Sequence, residues 1–281
     1  SDFSATHSLV LPSQEVNKPV LGRYEVEREL GRGAMGVVYL GLDPKIARRV
    51  AIKTLNYREF DTAQLNVIKE RFFREAEAAG RLNHPNIVTV YDVGEEADLA
   101  FIAMDYVEGK SLDRCVSETA LLPIQEVYEI IIAVADALAY AHQQNIVHRD
   151  IKPENIMLTR AGGVKLLDFN IASRAGARVE TMSATPPYLA PDIDYESVWE
   201  VSADLFATGV VLYELFCQSH PYEHADPVRG NGPIPPAEHG VDLPEKLSRF
   251  LLQACSKTKE DRFGSASEML DGLRRSMTQQ P

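Results

Sequence analysis

The stretch His148-Arg149-Asp150-Ile151-Lys152-Pro153-Glu154-Asn155 is the most informative part of this sequence, and Asp168-Phe169-Asn170 begins eighteen residues after Asp150. Together these motifs supply two carboxylates, a lysine and an amide between short apolar runs. Such a set suits transfer of a phosphoryl group, which needs positioning and positive charge more than covalent participation by the protein. A His-Arg-Asp tripeptide alone is weak evidence, whereas the octapeptide followed by Asp-Phe is a strong signal.

Each chemical group in the two motifs has an expected role. Asp150 can accept the proton of an attacking hydroxyl, and Lys152 can neutralise charge on a γ-phosphate. Asn155 and Asp168 offer the hard oxygen ligands that Mg²⁺ prefers, with phosphates and water completing the shell. The residues therefore predict a site where one phosphate and one hydroxyl meet.

The octapeptide resembles the catalytic loop of Hanks-type (eukaryotic-like) protein kinases, and the resemblance extends over about residues 24–275. The phrase Leu82-Asn83-His84-Pro85-Asn86-Ile87-Val88 looks most like bacterial members. Further family motifs stand in family order: Gly31-Arg32-Gly33-Ala34-Met35-Gly36-Val37-Val38 for G-x-G-x-x-G-x-V, Val50-Ala51-Ile52-Lys53 for V-A-I-K, Ala190-Pro191-Asp192 for A-P-E, and Asp261-Arg262 for the late Asp-Arg.

The resemblance implies an α+β, bilobal fold, with a small β-rich N-lobe carrying one regulatory helix and a larger, mostly helical C-lobe. We place the N-lobe at residues 23–107 and the C-lobe at 108–277, together one kinase domain over 23–277. A flexible leader is expected at 1–22 and a tail at 278–281. The implied activity is that of a Ser/Thr protein kinase, with ATP and Mg²⁺ as cofactors and Ser or Thr hydroxyls of proteins as substrates.

The nucleotide is predicted to lie under a glycine turn. Gly31, Gly33 and Gly36 let the backbone approach a phosphate without a Cβ in the way. Glycine turns join many hairpins, so the signal gains its weight from Lys53 in the next predicted strand, close enough to reach the same phosphates. The resemblance further implies that the adenine contacts Val38, Ala51, Met104, Met157 and the backbone of Asp105 and Val107.

Hydrophobic periodicity places the motifs on strands and helices. Residues 64–81 read as a helix on which Glu75 matches the family glutamate that pairs with Lys53, and Glu77 is the alternative. Asp204, near the start of an apolar helix, resembles the aspartate that holds the catalytic loop, and a charge favoured by the helix dipole is an equally valid interpretation. The other predicted strands are Tyr24–Leu30, Gly36–Gly41, Arg49–Leu55, 88–94, 99–105, 156–158 and 164–167, and the other predicted helices are one ending near His142, 202–217, 244–255 and 265–276.

Composition bounds the remaining possibilities. The chain has 281 residues, 41 acidic and 29 basic, for a net charge of −12, so we expect no nucleic-acid binding and no contact with anionic membranes. No apolar run reaches the roughly 20 residues that a membrane span needs, and no signal peptide opens the chain. Three separated cysteines are typical of free thiols in a reducing compartment, so we expect a cytoplasmic protein.

Three departures from the family pattern qualify the resemblance. Asn170 replaces a glycine, and asparagine is the residue that next best tolerates positive φ. Asp192 replaces the glutamate that pairs with Arg262, so this pair is expected to be less secure. Five prolines between Pro221 and Pro236 exclude a long helix there, which predicts that a docking helix of the family is missing or reduced to a turn.

The resemblance also suggests a switch. Lys152, together with Thr185, is similar to Ser/Thr-specific members. Thr181 sits where activation-loop phosphate is usually carried, with Ser183 and Ser173 as alternatives, and the guanidinium of Arg149 suits a dianion. Self-association for autophosphorylation is therefore expected as a possibility.

Two other functions compete with an active protein kinase. A pseudokinase that serves as a binding module is suggested by the departures at Asn170 and Asp192, although Lys53, Asp150 and Asp168 are all present. A small-molecule phosphotransferase of related fold shares the aspartate and asparagine but generally lacks the peptide-binding segment Thr185–Asp192.

Overall fold

The computed structural model describes residues 19–33, 36–117, 122–169, 173–174, 186–193, 200–222 and 232–278. Its N-terminal part is an antiparallel sheet of the strands β1 (Val20–Leu21), β2 (Tyr24–Gly33), β3 (Gly36–Asp43), β4 (Arg48–Asn56), β5 (Val90–Glu96) and β6 (Leu99–Asp105). The strand order is β1-β2-β3-β4-β6-β5. The strands predicted from Tyr24 to Asp105 are all present, with ends within three residues of the predicted ones.

The start of the sheet differs from the expectation of a flexible leader through residue 22. Val20 and Leu21 pair with Glu25 and Tyr24 across a turn at Gly22, whose φ is 57°. Two apolar residues are too short a run to show periodicity, which is why the sequence did not indicate this strand. Residues 1–18 lie outside the described part of the chain.

One helix packs on this sheet. Helix α1 (Thr62–Gly80) begins at Asp61, whose side chain accepts a hydrogen bond from the backbone of Gln64. Such a cap satisfies one of the free N–H groups at a helix start. Phe72 and Ala76 of α1 are buried in one cluster with Leu55 and Ile102 of the sheet, and this contact fixes the helix against it.

The C-terminal part is mostly helical and contains the larger core. Its helices are α2 (Leu112–Ser117), α3 (Ile124–Gln143), α4 (Val201–Cys217), α5 (Glu245–Ala254) and α6 (Ala266–Met277). Helix α4 is buried on nearly all sides, as its apolar sequence predicts, and α3, α5 and α6 pack around it. The boundaries of α4, α5 and α6 agree with the predicted ones within one residue, and α3 ends one residue after His142, whereas no separate boundaries were predicted for α2. The architecture is the α+β, two-lobed one expected.

Short strands carry the motif regions between these helices. They are β7 (Gly109–Ser111), β8 (Ile146–Val147), β9 (Ile156–Thr159), β10 (Val164–Leu166) and β11 (Ser173–Arg174). Strands β7, β9 and β10 form one sheet and β8 and β11 another. Because β8 ends at Val147 and β9 starts at Ile156, the octapeptide is held between two anchored strands. Only β9 and β10 were predicted.

The described residues of the proline-rich region between Pro221 and Pro236 form no long helix, as the sequence predicts. Residues 223–231 lie outside the described part of the chain. From Gly232 onward, a short 3₁₀ turn at Pro236–His239 leads toward α5. Among the described residues, the helices are too short or too polar to cross a membrane.

Candidate active site

The lysine of β4 and the glutamate of α1 meet at the cleft between sheet and helices. Lys53 Nζ lies 2.8 Å from Glu75 Oε1 and 3.9 Å from Asp168 Oδ1. Burial acts to lower the pKa of Lys53, but the carboxylates of Asp168 and Glu75 raise it above its ordinary value. The lysine is therefore a fixed positive charge in the cleft. Glu77, the alternative partner, instead pairs with Arg81 on the exposed side of α1.

The octapeptide folds back on itself around Asp150. Asn155 Nδ2 donates to the backbone oxygen of Asp150 at 2.8 Å and to its Oδ2 at 3.2 Å. Lys152 Nζ lies 3.3 Å from the same Oδ2. The backbone N–H of Leu167 donates to the oxygen of Asn155 at 2.8 Å, which brings Asp168 next to the loop. The four residues predicted to act together are thus brought into one cleft.

Asp204 of α4 holds the backbone of this loop from below. Its carboxylate accepts from the N–H groups of His148 and Arg149, each at 2.8 Å, and from His142 Nε2 at 2.8 Å. Burial alone would raise the pKa of Asp204, but the hydrogen bond from His142 and the other donors hold it below its ordinary value. Arg149 has a φ of 74°, a strained conformation that these bonds stabilise. Asp204 also lies in the first turn of α4, so both interpretations of this residue hold.

His148 links the two motifs, a role that the sequence did not indicate. Its Nδ1 accepts from the N–H of Asp150 at 3.1 Å, and its Nε2 lies 2.7 Å from the oxygen of Leu167. Burial lowers its pKa, so the ring is neutral with the proton on Nε2. The ring also packs on Phe169 at 4.5 Å between centroids. The contacts of His148 with Leu167 and Phe169 have no local sequence signal, because they join residues about 20 positions apart along the chain.

Asp168 is positioned by the burial of its neighbour. Phe169 is only 3% exposed and lies at a small cavity beneath α1 that Glu75 and Met104 also line. Asp168 has a φ of 42°, while its side chain is 40% exposed toward the cleft. The carboxylate is thus accessible to a ligand, and the strain at its backbone is of the kind found at functional sites. Asn170 lies outside the described residues.

The predicted adenine residues lie on one face of the sheet. Val38 is opposite Lys53, and Ala51 is opposite Met104, and residues opposite each other in a ladder share a face. Met157 lies on β9, opposite Lys165 of β10. Val107 lies two residues after the end of β6.

Two backbone positions have contacts that the sequence did not indicate. The N–H of Asp105 donates to the oxygen of Thr89 at 2.9 Å. A Cβ at Gly36 would lie 2.0 Å from the oxygen of Thr54, so this glycine is required by the packing of β3 on β4, whereas open space surrounds the position at Gly31.

The segment of residues 186–193, called the 186–193 segment below, is anchored to the helical part. Arg262 Nη2 lies 2.6 Å from Asp192 Oδ1, and the guanidinium packs over Phe206 at 4.9 Å. The shorter aspartate therefore keeps the ion pair that the sequence left in doubt. Thr181, Ser183 and Thr185 lie outside the described residues, and Ser173 begins β11.

The molecule has a sheet that contains the glycine motif, a helical lobe, and a cleft between them that holds a lysine–glutamate pair and two aspartates. This combination defines the class of the kinase-like phosphotransferases. The chain belongs to the protein kinase domain family, whose profile matches residues 24–271. The predicted resemblance to bacterial members is thereby confirmed.

Curated bacterial proteins show the same similarity. The chain is 35% identical over 264 residues to serine/threonine-protein kinase PrkC of Bacillus subtilis, covering 90% of this chain and 40% of that protein. It is 35% identical over 274 residues to serine/threonine-protein kinase PknB of Mycobacterium leprae, covering 92% and 44%. It is 35% identical over 261 residues to a probable serine/threonine-protein kinase of Clostridium acetobutylicum, covering 89% and 39%. The chain spans about two fifths of the length of these relatives.

Proposed function

We propose that this chain is an ATP- and Mg²⁺-dependent protein kinase that phosphorylates Ser and Thr hydroxyls of proteins. The observation that carries the proposal is the convergence of Lys53, Glu75, Asp150, Asn155 and Asp168 in one cleft. The names of the bacterial relatives support the same activity.

The residues of the cleft fit both ligands. Asp168 presents an exposed carboxylate, and Asn155 uses its amide nitrogen on Asp150, which leaves its amide oxygen as the group for a cation. Two protein oxygens are enough for Mg²⁺, which usually takes its other ligands from phosphates and water. The charge of Lys53 stands beside this pair, where the phosphates of ATP would need it. Bound ATP would supply the phosphoryl group, and Mg²⁺ would neutralise charge on it.

The side chains of the chain then have separate tasks. Lys53, held by Glu75, orients phosphate oxygens, and Asp150 accepts the proton of the attacking hydroxyl. Lys152, next to Asp150, offsets charge that develops on the transferred group. The residues proposed to line the nucleotide are Gly31, Gly33, Gly36, Val38, Ala51, Met104 and Met157, together with the backbone of Asp105 and Val107.

The proposal also includes a regulatory phosphorylation and a cellular location. Thr181 is proposed to be autophosphorylated and bound by Arg149, through contact between two copies of the chain. Cys115, Cys217 and Cys255 are buried and none of the three forms a disulfide, which supports a reducing compartment such as the cytoplasm. No observation favours the pseudokinase alternative. The 186–193 segment, anchored by the pair of Arg262 and Asp192, argues against a small-molecule phosphotransferase, because such enzymes generally lack this segment.

Incubation with labelled ATP and Mg²⁺, alone and with a generic basic protein, tests the proposal. We expect label on Ser or Thr of both proteins. Tight ATP binding without any transfer would contradict catalysis and support a binding module. Label that appears on small alcohols and never on protein would support the small-molecule phosphotransferase.

A further inference from the structure

The 186–193 segment is fixed to the end of α4 by Glu214 and by His220, two side chains of kinds that can change their protonation state. Tyr188 donates to Glu214 Oε2 at 2.8 Å, and His220 Nε2 lies 2.7 Å from the oxygen of Pro187. Glu214 is in the last turns of α4, and His220 follows the helix closely. The arginine that holds the other end of the segment keeps its charge at all ordinary pH values.

Glu214 is in surroundings that disfavour its charge. Burial is the main cause that raises its pKa to about 7, the Tyr188 hydroxyl opposes the rise, and the charge of Glu154 adds to it. Tyr188 is faced in turn by Glu154 and by Asp113 of α2. In the described part of the chain, no lysine or arginine forms a recorded ion pair with Glu214. Its carboxyl group therefore changes charge within the physiological range.

His220 makes the second contact with the segment, and its hydrogen bonds fix its tautomer. Its Nδ1 accepts a hydrogen bond from the N–H of Tyr222 at 3.1 Å, so its proton is on Nε2 and is donated to Pro187. A protonated imidazole has donors on both nitrogens and no acceptor. Protonation would thus break the contact with Tyr222 and disturb the turn that holds the ring.

We propose that Tyr188, Glu214 and His220 are positioning residues for protein substrates, and that Tyr188 and Glu214 make this binding depend on pH, because their contact holds the 186–193 segment firmly only when Glu214 is ionised. The inference rests on the proposed function, which assigns this segment to the protein substrate. Hydrogen bonds to an ionised acceptor are about twice as strong as neutral ones. The nucleotide contacts at Lys53 and Asp168 use other residues.

Glu214→Gln separates the charge from the hydrogen bond, since glutamine keeps an acceptor oxygen and cannot ionise. KM for a protein substrate and KM for ATP would be measured from about pH 6 to pH 8, one unit on each side of the raised pKa of Glu214, which is about 7. In the natural chain we expect acid to raise the protein-substrate KM by about three- to tenfold, equivalent to about 0.7–1.4 kcal/mol, with a smaller change for ATP. The Glu214→Gln profile should be flatter, and Tyr188→Phe should show a high protein-substrate KM at every pH. Glu245→Gln, at an exposed glutamate of α5, is the matched control and should follow the natural chain.

The outcomes separate this inference from the function on which it rests. Equal pH profiles for the natural chain and Glu214→Gln would overturn the inference while transfer itself stands. If no phosphate is transferred at any pH, the proposed function fails, and hydrogen exchange then tests the inference without activity. After correction for intrinsic rates, the amides of Tyr188, Leu189, Ala190, Asp192 and Ile193 should exchange faster at the acid end in the natural chain than in Glu214→Gln. Equal protection in the two proteins would overturn the inference on that ground as well.

Discussion

At the scale of single residues, the orientation of Asp150 is set by its neighbours more than by its own rotamer. Asn155 donates hydrogen bonds to both the backbone oxygen and the carboxylate of Asp150, and the N–H of Asp150 donates to the ring of His148. The carboxylate is thus held toward the cleft, beside Lys152, before any substrate binds. A residue so constrained tolerates an isosteric change without a change of shape.

Asp150→Asn is therefore expected to keep the fold and abolish most transfer. The amide cannot accept the proton of the hydroxyl, and positioned acid–base groups contribute about 10²–10⁴ in rate. Initial rates with labelled ATP measure the loss, and nucleotide titration should give an unchanged affinity. Near-natural rates in this variant would remove Asp150 from its proposed role.

A second residue-scale prediction concerns the pair of Arg262 and Asp192. The Arg262 side chain is 0% exposed and Asp192 supplies its carboxylate. In Asp192→Ala, the buried guanidinium of Arg262 keeps its hydrogen bonds to the carbonyls of Ser256 and Lys257 but loses the carboxylate of Asp192. We therefore expect a loss of about 1.5–3 kcal/mol in the free energy of unfolding. Asp192→Glu, which keeps the charge, is the control and should stay close to the natural stability in urea. An equal loss in both variants would show that the ion pair is not the cause.

At the scale of elements, α1 controls the lysine of β4. Glu75→Gln removes the charge that holds Lys53 and leaves the size of the side chain. We expect kcat/KM to fall by about 10- to 100-fold, equivalent to about 1.4–2.7 kcal/mol, while the thermal midpoint changes little. The matched control is Glu77→Gln on the exposed side of the same helix, whose ion pair with Arg81 is at the surface and is worth little. Similar losses in both variants would contradict the assignment of Glu75.

Helix α4 has a carboxyl group near each end, and the pKa values of the two groups are shifted in opposite directions. Asp204 has a lowered pKa because of its donors, whereas burial raises that of Glu214 to about 7 from 4.5. A raised folded pKa means that the stability contributed by neutral Glu214 is fully present below about pH 4.5 and is lost as pH rises through about 7. The charge that strengthens the contact with Tyr188 thus reduces the stability of the whole fold.

Glu214→Gln is consequently expected to be more stable than the natural chain at alkaline pH, by a margin that grows as pH rises through about 7. Thermal unfolding of both proteins over this range measures the margin. Glu245→Gln, whose glutamate is exposed, should show no such trend. A margin that shrinks with rising pH would have the wrong sign and would contradict the burial of this charge.

At the scale of the whole molecule, the side chain of Asp105 joins the two lobes. Its Oδ1 accepts from Tyr91 of the large sheet at 3.2 Å, and its Oδ2 lies 4.0 Å from Lys165 Nζ on β10. The sequence suggested only a backbone role at this position, because a side chain that reaches two other strands cannot be recognised from local pattern. Glu108, nearby, lies 3.7 Å from Arg49 in a pair that is more exposed than that of Asp105 and Lys165.

Asp105→Ala keeps the backbone groups but removes this link between lobes. We expect KM for ATP to rise by about two- to threefold, which corresponds to a partly exposed pair worth up to about 1 kcal/mol. Glu108→Ala should have a smaller effect, since both partners of its pair are half exposed. Steady-state kinetics at several ATP concentrations compare the two, and a larger effect at Glu108 would contradict the linking role.

The sequence predicted what is local or carried by a motif. The order of strands and helices and the buried helix of Asp204 follow from periodicity, and the pairing of Lys53 with Glu75 was implied by the family resemblance. The contacts of His148 and Glu214 and the short strands β1 and β7 could not be predicted in this way. They depend on segments that tertiary folding brings together, such as Tyr188 and Glu214, which are 26 residues apart.

The hydrogen bonds from His148 and Arg149 to Asp204 also bear on how the chain is made. They span 56 and 55 residues, and a chain emerges from the ribosome with its N-terminal part first. The sheet can form from strands already released, but the strained backbone at Arg149 has no support until α4 has been synthesised and has docked. A nascent or truncated chain that stops before residue 204 would therefore hold its nucleotide-facing sheet without an ordered catalytic loop.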